Sequence, residues 1–128
     1  MSNTYQIYLI SDSTGETLDR IFLAIKAQFK NIEYKIHTCS FTRTENQILK
    51  ILSNAEKSSN SIILYSIVDS SLAKYLANTS DDKGIPCFGV LGDLILSFSK
   101  LLNQKASHQP SGQYALNDEY YKRISAIQ

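Results

Sequence analysis

Hydrophobic residues along the chain follow two spacings in turn, and this alternation repeats four times. Each repeat opens with a short run rich in β-branched and aromatic residues, which is typical of a β-strand. Apolar residues then recur at spacings of three and four, which predicts an amphipathic helix. The predicted strands cover residues 5–10, 34–41, 62–68 and 87–91.

Start and stop signals accompany the four predicted helices. Ser13 with Glu16, and Thr44 with Gln47, have the spacing of capping boxes, which satisfy the first backbone N–H groups of a helix. Gly84 is a predicted helix stop. The apolar stripes comprise Leu18, Ile21, Phe22, Ile25 and Phe29; Ile48, Ile51, Leu52 and Ala55; Leu72, Tyr75 and Leu76; and Leu94, Ile95, Phe98, Leu101 and Leu102.

This alternation predicts an α/β fold, in which a parallel sheet carries helices on both faces. The third strand, 62–68, is almost continuously apolar, as expected of a central strand that is buried on both faces. The second strand, 34–41, alternates apolar and polar residues, as expected near an edge. Together these features favour a flavodoxin- and Rossmann-like sheet with strand order 2-1-3-4.

The sequence predicts one α/β domain over residues 1–105 and a second, shorter segment over 106–128. The second segment begins with a polar loop and continues into a helix that Asn117 can cap. Because the chain stops at Gln128 without a glycine or proline, we expect a helix that is cut short. The apolar face of this helix is formed by Tyr120, Tyr121, Ile124 and Ile127.

The composition is that of an ordinary globular domain. Of the 128 residues, 43% are hydrophobic and 20% are charged, which excludes collagen-like, coiled-coil and disordered proteins. The net charge of +1 argues against a protein that binds duplex nucleic acid, since such proteins usually carry a basic surface. Cys39 and Cys87 lack the paired spacing of metal ligands, so we expect reduced thiols and no metal site.

Targeting signals are not found in the sequence. Residues 1–4 lack the basic and apolar regions of a signal peptide. The longest nearly apolar run, 62–68, is too short to span a bilayer. We therefore expect a cytoplasmic protein that makes no membrane contact.

Polar residues that follow the strands form the predicted ligand site. In an open parallel sheet, ligands bind beyond the carboxyl ends of the strands, where the strand order reverses. The loops 11–15 and 66–71 meet there, and both are rich in hydroxyl groups and precede helix N-termini, which bind anions. Arg43 follows the second strand and can hold phosphate oxygens with its guanidinium. Asp12 suits proton abstraction or magnesium binding.

Each of these residues also has a purely structural interpretation. Ser13 and Glu16 can serve only as a helix cap, which contributes about 1 kcal/mol. Gly15 can serve only the turn, and Arg43 can be an ordinary solvated residue. His37 is expected on the exposed side of the second strand, without a catalytic partner.

Several segments resemble one bacterial protein family. The most distinctive is the run I-S-D-S-T-G-E-T at 10–17, and its combination with the run at 120–127 is specific. Together the segments resemble the pyruvate, phosphate dikinase regulatory proteins and the related phosphoenolpyruvate synthase regulatory proteins. The resemblance covers essentially the whole chain and is carried by residues 10–17, 28–29, 42–47, 64–68, 84–87 and 116–127.

The resemblance implies a bifunctional serine/threonine kinase and pyrophosphorylase. Such proteins phosphorylate a threonine of the dikinase with ADP as donor, and they remove that phosphate by attack of inorganic phosphate, which releases pyrophosphate. The implied protein partner is therefore pyruvate, phosphate dikinase or phosphoenolpyruvate synthase. The residues carried over are Asp12, as the candidate catalytic residue, and the candidate phosphate-binding residues Ser11, Ser13, Thr14, Gly15 and Arg43.

The nucleotide-binding P-loop that the resemblance implies has no counterpart in this sequence. The family continues for roughly the same length again, and its P-loop lies in that second half. This chain contains no Gly-Lys dipeptide. We therefore expect a truncated member that holds no cofactor and is inactive alone.

Other functions stay open at this stage. One is a non-catalytic flavodoxin-like module that binds the dikinase or a small phosphorylated ligand. Another is an inert fragment whose exposed apolar surface promotes aggregation. The sequence also leaves the oligomeric state open, and a homodimer is compatible with it.

Overall fold

A computed structural model describes residues 4–107, which form four strands alternating with four helices. The predicted alternation is therefore confirmed. The predicted helix at 117–128 lies outside the described residues. The elements are β1 (Tyr5–Ser11), α1 (Glu16–Lys26), β2 (Tyr34–Cys39), α2 (Glu45–Ala55), β3 (Ser61–Ser66), α3 (Ser70–Asp82), β4 (Cys87–Gly89) and α4 (Gly92–Leu102).

The four strands form one parallel sheet in the order β2-β1-β3-β4, as predicted. Ile7 pairs with Ile36 of β2 on one side and with Ile62 of β3 on the other. The strand order reverses between β1 and β3, because β2 and β4 lie on opposite edges. Parallel strands all end at the same edge of the sheet, so the loops after β1, β2 and β3 are brought together at the edge called here the carboxyl edge.

Hydrophobic clusters lie on both faces of the sheet, which is typical of a parallel sheet. On one face, Tyr8 and Ile63 pack with residues of α2 and α3 such as Leu52 and Leu76. On the other face, the cluster comprises Ile7, Leu9, Leu18, Phe22 and Leu64, so α1 is the helix that packs there. The helices thus cover the two faces unequally.

The capping box predicted at Thr44 is confirmed, and it fixes the start of α2. The backbone N–H of Gln47 donates to Thr44 Oγ1 over 3.2 Å, and the backbone N–H of Thr44 donates to Gln47 Oε1 over 3.0 Å. Each side chain therefore satisfies a backbone donor that has no partner inside the helix.

The capping box predicted from Ser13 and Glu16 is wrong. The N-cap of α1 is Gly15, in a left-handed conformation with φ 90°, and no side chain caps this helix. The reason is local: the Ser13 hydroxyl lies 3.2 Å from the hydroxyl of Ser11, and the backbone N–H of Ser13 donates to that same Ser11 oxygen. Ser13 therefore stabilises the turn after β1 and does not cap α1.

Three strands end two residues earlier than predicted. β3 ends at Ser66 instead of 68, and β2 and β4 end early because the chain turns. β2 ends at Cys39, two residues before the predicted limit of 41, since Phe41 adopts a left-handed conformation with φ 56°. β4 ends at Gly89 instead of 91, because Leu91 already has helical backbone angles and precedes α4.

Helix α4 is amphipathic, as its sequence predicts, but its apolar side chains are not buried. No residue of α4 is buried, and Leu101 is 82% exposed. Within residues 4–107, none of the helices combines the length and the apolar character needed to span a bilayer. The same described residues contain no group of three metal-ligating side chains.

Candidate functional site

Backbone hydrogen bonds tie the loops after β1, β2 and β3 together at the carboxyl edge. The N–H of Thr42 donates to Ser11 O over 2.8 Å, and the N–H of Phe41 donates to Ser13 O over 2.9 Å. On the other side, the N–H of Asp12 donates to Ser66 O over 3.2 Å. The predicted meeting of loops 11–15 and 66–71 is therefore observed, and the β2 loop joins them.

Asp12 links the β1 and β3 loops through its side chain. The carboxylate is only 3% exposed, and its Oδ2 accepts a hydrogen bond from the N–H of Val68 over 2.9 Å. Burial raises the pKa of Asp12 above its ordinary value, and nearby Asp69 adds to the increase. The bond from Val68 and the Arg43 charge lower the pKa, but burial outweighs them. A carboxyl group with a raised pKa keeps its proton to a higher pH than an exposed aspartate does, and such perturbed groups are common at functional sites.

Hydroxyl groups line the turn between β1 and α1. Ser11 is buried, Ser13 is half-buried and Thr14 is exposed, so they lie at increasing distance from the core. The N–H of Glu16 points to Thr14 Oγ1 at 3.5 Å, which is at the limit of hydrogen bonding. Ser40, after β2, donates through its hydroxyl to Thr14 O over 2.8 Å and holds this turn from outside.

The backbone conformation at the start of α1 requires a glycine at position 15. Its φ of 90° is an angle that residues with a side chain rarely adopt. A Cβ at this position would lie 3.5 Å from Ser40 Oγ, so the angle, not crowding, selects glycine. Since no side chain caps α1, its first-turn N–H groups carry the positive end of the helix dipole toward the turn.

The helices after β2 and β3 differ from α1 in this respect. Thr44 caps α2, and the Asp69 carboxylate accepts the N–H groups of Ser71 and Leu72 at the start of α3. The hydroxyl groups of the 66–71 loop were predicted to share the ligand site. Of these residues, Ser66 is buried and Ser70 and Ser71 are exposed, and the Asp69 carboxylate caps the α3 N-terminus.

Arg43 reaches across the edge from β2 to β1. Its Nε donates to Asp12 O over 3.0 Å, while its backbone N–H donates to Gln47 Oε1 over 2.7 Å. The guanidinium carbon lies 5.9 Å from the centre of the Phe41 ring, within the range of a cation–π contact. The side chain is thereby held beside the turn that carries Ser13 and Thr14.

All six predicted site residues thus meet at one place on the carboxyl edge. The arrangement combines an uncapped helix N-terminus, hydroxyl groups and a guanidinium, which is the donor set that binds phosphate. The prediction missed Ser40, Thr42 and Phe41, which position the turn. Thr42 is buried and donates through its hydroxyl to Cys39 O, and its place directly after the second predicted strand was the one signal that the sequence offered.

His37 is not on the exposed side of β2, contrary to expectation. It is half-buried, stacks on Tyr8 with ring centres 4.3 Å apart, and its Nε2 lies 2.7 Å from Gln6 Oε1. Burial lowers the pKa of His37, and Lys35 contributes. The His37 ring therefore packs against side chains of β1 and is not part of the carboxyl-edge site.

Comparison with known proteins identifies relatives of this chain. A family model described as kinase/pyrophosphorylase matches residues 7–128. A Pelagibacter ubique protein is 74% identical over all 128 residues, which make up 47% of its length. A Geotalea uraniireducens protein is 38% identical over 122 residues, 95% of this chain and 45% of the relative. Both relatives carry the name "Putative pyruvate, phosphate dikinase regulatory protein".

These matches show how the chain is related to known proteins and how much of their length it covers. The chain spans about half the length of the curated relatives that it matches. The family model covers nearly the whole chain, including the turn at 11–15 and Arg43. The chain therefore belongs to the kinase/pyrophosphorylase family.

Proposed function

We propose that this chain is the phosphate-binding part of a regulatory kinase and pyrophosphorylase that acts on pyruvate, phosphate dikinase or phosphoenolpyruvate synthase. Membership of the family and the names of the relatives support the regulatory role. The single observation that carries the proposal is the convergence of an uncapped α1 N-terminus, the hydroxyl-rich turn and Arg43 on the carboxyl edge.

The phosphate group lies, in this proposal, between the turn and the guanidinium. The first-turn N–H groups of α1 and the hydroxyls of Ser13 and Thr14 donate to its oxygens, and Arg43 neutralises its charge. Ser11 and Gly15 shape the turn, as their hydrogen bonds and backbone angle indicate. The bound group is the phosphate of the phosphothreonine, or the inorganic phosphate that removes it.

Asp12 is proposed to accept the proton of the attacking hydroxyl group. In the kinase direction, the threonine oxygen bonds to the β-phosphorus of ADP, AMP leaves, and the threonine proton passes to the carboxylate. The raised pKa of Asp12 supports this assignment. The nucleotide itself is assigned to the part of the family that this chain does not span, because the chain contains no Gly-Lys dipeptide.

A phosphotransfer assay tests this function. The chain is mixed with histidine-phosphorylated dikinase and ADP labelled on its β-phosphate, with and without the remaining half of the Pelagibacter ubique relative. We expect no phosphothreonine from the chain alone and a measurable amount from the mixture, with the complete relative as active control. Absence of any gain on mixing would contradict the proposed contribution of this chain.

Two arginines provide a matched pair for the same assay. Arg43→Gln removes the guanidinium beside the turn, whereas Arg20→Gln removes the same charge from an exposed position on α1. Since a hydrogen bond to a charged group contributes about 1.5–3 kcal/mol, we expect Arg43→Gln to reduce phosphotransfer by roughly ten- to hundredfold. Arg20→Gln should retain the activity, and an equal loss in both variants would point to net charge alone.

A second candidate function is a non-catalytic module that binds the dikinase. The observation that favours it is the apolar side of α4, where Leu94, Phe98 and Leu101 are exposed, since exposed apolar surface often marks a protein-binding site. Calorimetric titration of the dikinase into the chain separates the two functions. Binding without a gain of phosphotransfer on mixing supports the module, and absence of binding removes it.

A further inference from the structure

Phe41, which follows β2, has a backbone conformation that a large side chain seldom adopts. Its φ of 56° lies in the left-handed region, where Cβ approaches a neighbouring carbonyl oxygen and raises the energy. Within residues 4–107, the other non-glycine residues with a positive φ are Asn31 and Asn103. Asparagine is enriched in this conformation, whereas a bulky residue is an outlier there. The backbone at position 41 therefore does not favour phenylalanine.

Hydrogen bonds on both sides of Phe41 hold its backbone in this conformation. Its N–H donates to Ser13 O over 2.9 Å, and its carbonyl oxygen accepts from Gln47 Nε2 over 3.3 Å. Gln47 is itself fixed by the capping box at the start of α2. The strain at Phe41 is thus maintained by the turn after β1 and by α2. Strained residues that the surrounding structure holds in place cluster at functional sites.

The side chain of Phe41 is not buried in exchange for this strain. The residue is 47% exposed and lies in neither of the two hydrophobic clusters on the faces of the sheet. Its ring contacts the Arg43 guanidinium, whose carbon lies 5.9 Å from the ring centre. A cation–π contact at an exposed site is weak. Packing within the chain therefore does not explain why a phenylalanine stands at this position.

The exposed ring lies beside the candidate phosphate site. The bond from Phe41 N–H to Ser13 O places the residue against the turn, and the ring adjoins the guanidinium of Arg43. Inorganic phosphate offers only polar oxygens, so an apolar ring adds nothing to its binding. A phosphate carried by a threonine in a polypeptide brings a methyl group and other apolar atoms with it. Removal of such atoms and the ring from water favours binding.

We propose that Phe41 contacts the apolar part of a phosphothreonine-bearing polypeptide, so that the site prefers protein-bound phosphate to inorganic phosphate. The inference rests on the proposed function, which places the phosphothreonine of the target protein at this turn. Arg43 holds the phosphate oxygens, and the ring beside it takes the threonine methyl group and the neighbouring residue. Phe41 is thereby a specificity-determining residue for one of the two phosphate ligands of this site.

Titration of the complete chain with three phosphate probes tests this preference. The probes are inorganic phosphate, a phosphothreonine peptide with alanines on both sides, and ADP, each followed by the NMR shifts of the backbone amides. We expect the natural chain to bind the peptide roughly fivefold more tightly than inorganic phosphate, as burial of one or two apolar carbons implies. Phe41→Asn suits the left-handed backbone but lacks the ring, so this advantage should disappear. An unchanged advantage in Phe41→Asn would overturn the proposal.

Two further variants separate the ring from general effects of substitution. Phe41→Tyr keeps an aromatic ring and should keep the preference for the peptide. Phe29→Asn removes a phenylalanine that is 55% exposed and lies after the C-terminal end of α1, away from the turn. This variant should bind both ligands as the natural chain does. An equal loss of preference in Phe29→Asn and Phe41→Asn would overturn the proposal.

Stability distinguishes a ring that binds a ligand from one that only supports the fold. Because asparagine adopts a positive φ more readily than phenylalanine, Phe41→Asn should keep or raise the urea midpoint of unfolding. The same measurement confirms that the variant folds. A lower midpoint together with an unchanged preference for the peptide would assign the ring to folding alone and overturn the proposal.

The titrations also separate failure of this inference from failure of the proposed function. If the natural chain binds inorganic phosphate and the peptide equally well, the phosphate site stands and the role of Phe41 is overturned. If the chain binds neither of them, both proposals fail. Tighter binding of ADP than of the peptide, lost in Phe41→Asn, would assign the ring to a nucleotide base and would also overturn the inference.

Discussion

Asp12 lies in an environment very different from the water that surrounds a free aspartate. Its carboxylate lies among backbone groups at the carboxyl edge and is almost completely buried. An ionised carboxylate in such a place is desolvated, and the single N–H of Val68 compensates only in part. The same desolvation that suits the group to proton transfer also makes stability depend on pH.

Replacement of Asp12 by asparagine should change the pH dependence of unfolding. Because folding raises the pKa of Asp12, its contribution to stability is fully present below the ordinary value of 3.8 and is lost as pH rises through the folded-state pKa. We therefore expect the free energy of unfolding of the natural chain to fall relative to that of Asp12→Asn as the pH rises above 3.8 and through the raised folded-state pKa. Urea denaturation of both proteins over that range measures the difference, and parallel curves would contradict the raised pKa.

Gly15 offers a test of the backbone requirement at the same turn. Gly15→Ala forces a side chain into a left-handed conformation and should lower stability by about 1–2 kcal/mol. Gly92→Ala is the matched control, because Gly92 begins α4 without a positive φ and has open space around it. That variant should be neutral or slightly stabilising, so an equal loss in both would argue against strain at Gly15.

At the scale of elements, the helix N-termini divide into capped and uncapped. Thr44 and Asp69 cap α2 and α3 with their side chains, whereas α1, beside the candidate site, begins at Gly15 without one. An uncapped N-terminus leaves N–H donors for an external anion. The difference explains why the turn before α1, and not the loop before α3, forms the proposed phosphate site.

Two alanine variants test this difference directly. Thr44→Ala removes an observed cap and should lower the free energy of unfolding by about 1 kcal/mol. Ser13→Ala removes a hydroxyl whose observed neighbour is Ser11, and should cost less. Urea denaturation distinguishes them, and a loss at Ser13 equal to that at Thr44 would indicate that Ser13 caps α1 after all.

The sequence predicts the elements well where local pattern and burial agree. The apolar run at 62–68 correctly indicates a central strand, and from it follow the strand order and the position of the site. Prediction fails where individual hydrogen bonds and turns, which the hydrophobic pattern does not show, decide the local structure. The Ser13 hydroxyl is engaged by Ser11, and Phe41 turns the chain early while its N–H bonds to Ser13 O, which ties the β2 loop to the β1 turn.

The exposure of α4 could not be predicted from its pattern. Its leucines and Phe98 have the spacing of a buried stripe, yet no residue of this helix is buried. Periodicity shows which side of a helix is apolar, but not whether another element covers it. The meeting of the candidate residues at one edge could be predicted because the carboxyl-edge rule depends only on topology, which the pattern indicates.

At the scale of the whole molecule, the carboxyl edge and the exposed apolar surfaces differ in composition and so suit different contacts. The edge gathers charged and hydroxyl groups on a rigid sheet, which suits recognition of a phosphate. The exposed side of α4 and the groove lined by Phe22, Phe29 and Phe88 are apolar, as surfaces that contact other elements or proteins often are. The chain spans about half the length of its curated relatives, and the proposed phosphate site lies within that half.

The central claim is that phosphate binds at the turn before α1, and an NMR titration with inorganic phosphate tests it most directly. We predict saturable shifts of the amides from Thr14 to Leu18, weakened roughly tenfold or more by Arg43→Gln and unchanged by Arg20→Gln. Shifts that do not saturate, or that respond equally to both arginine variants, would contradict the claim that this edge of the sheet is a phosphate site.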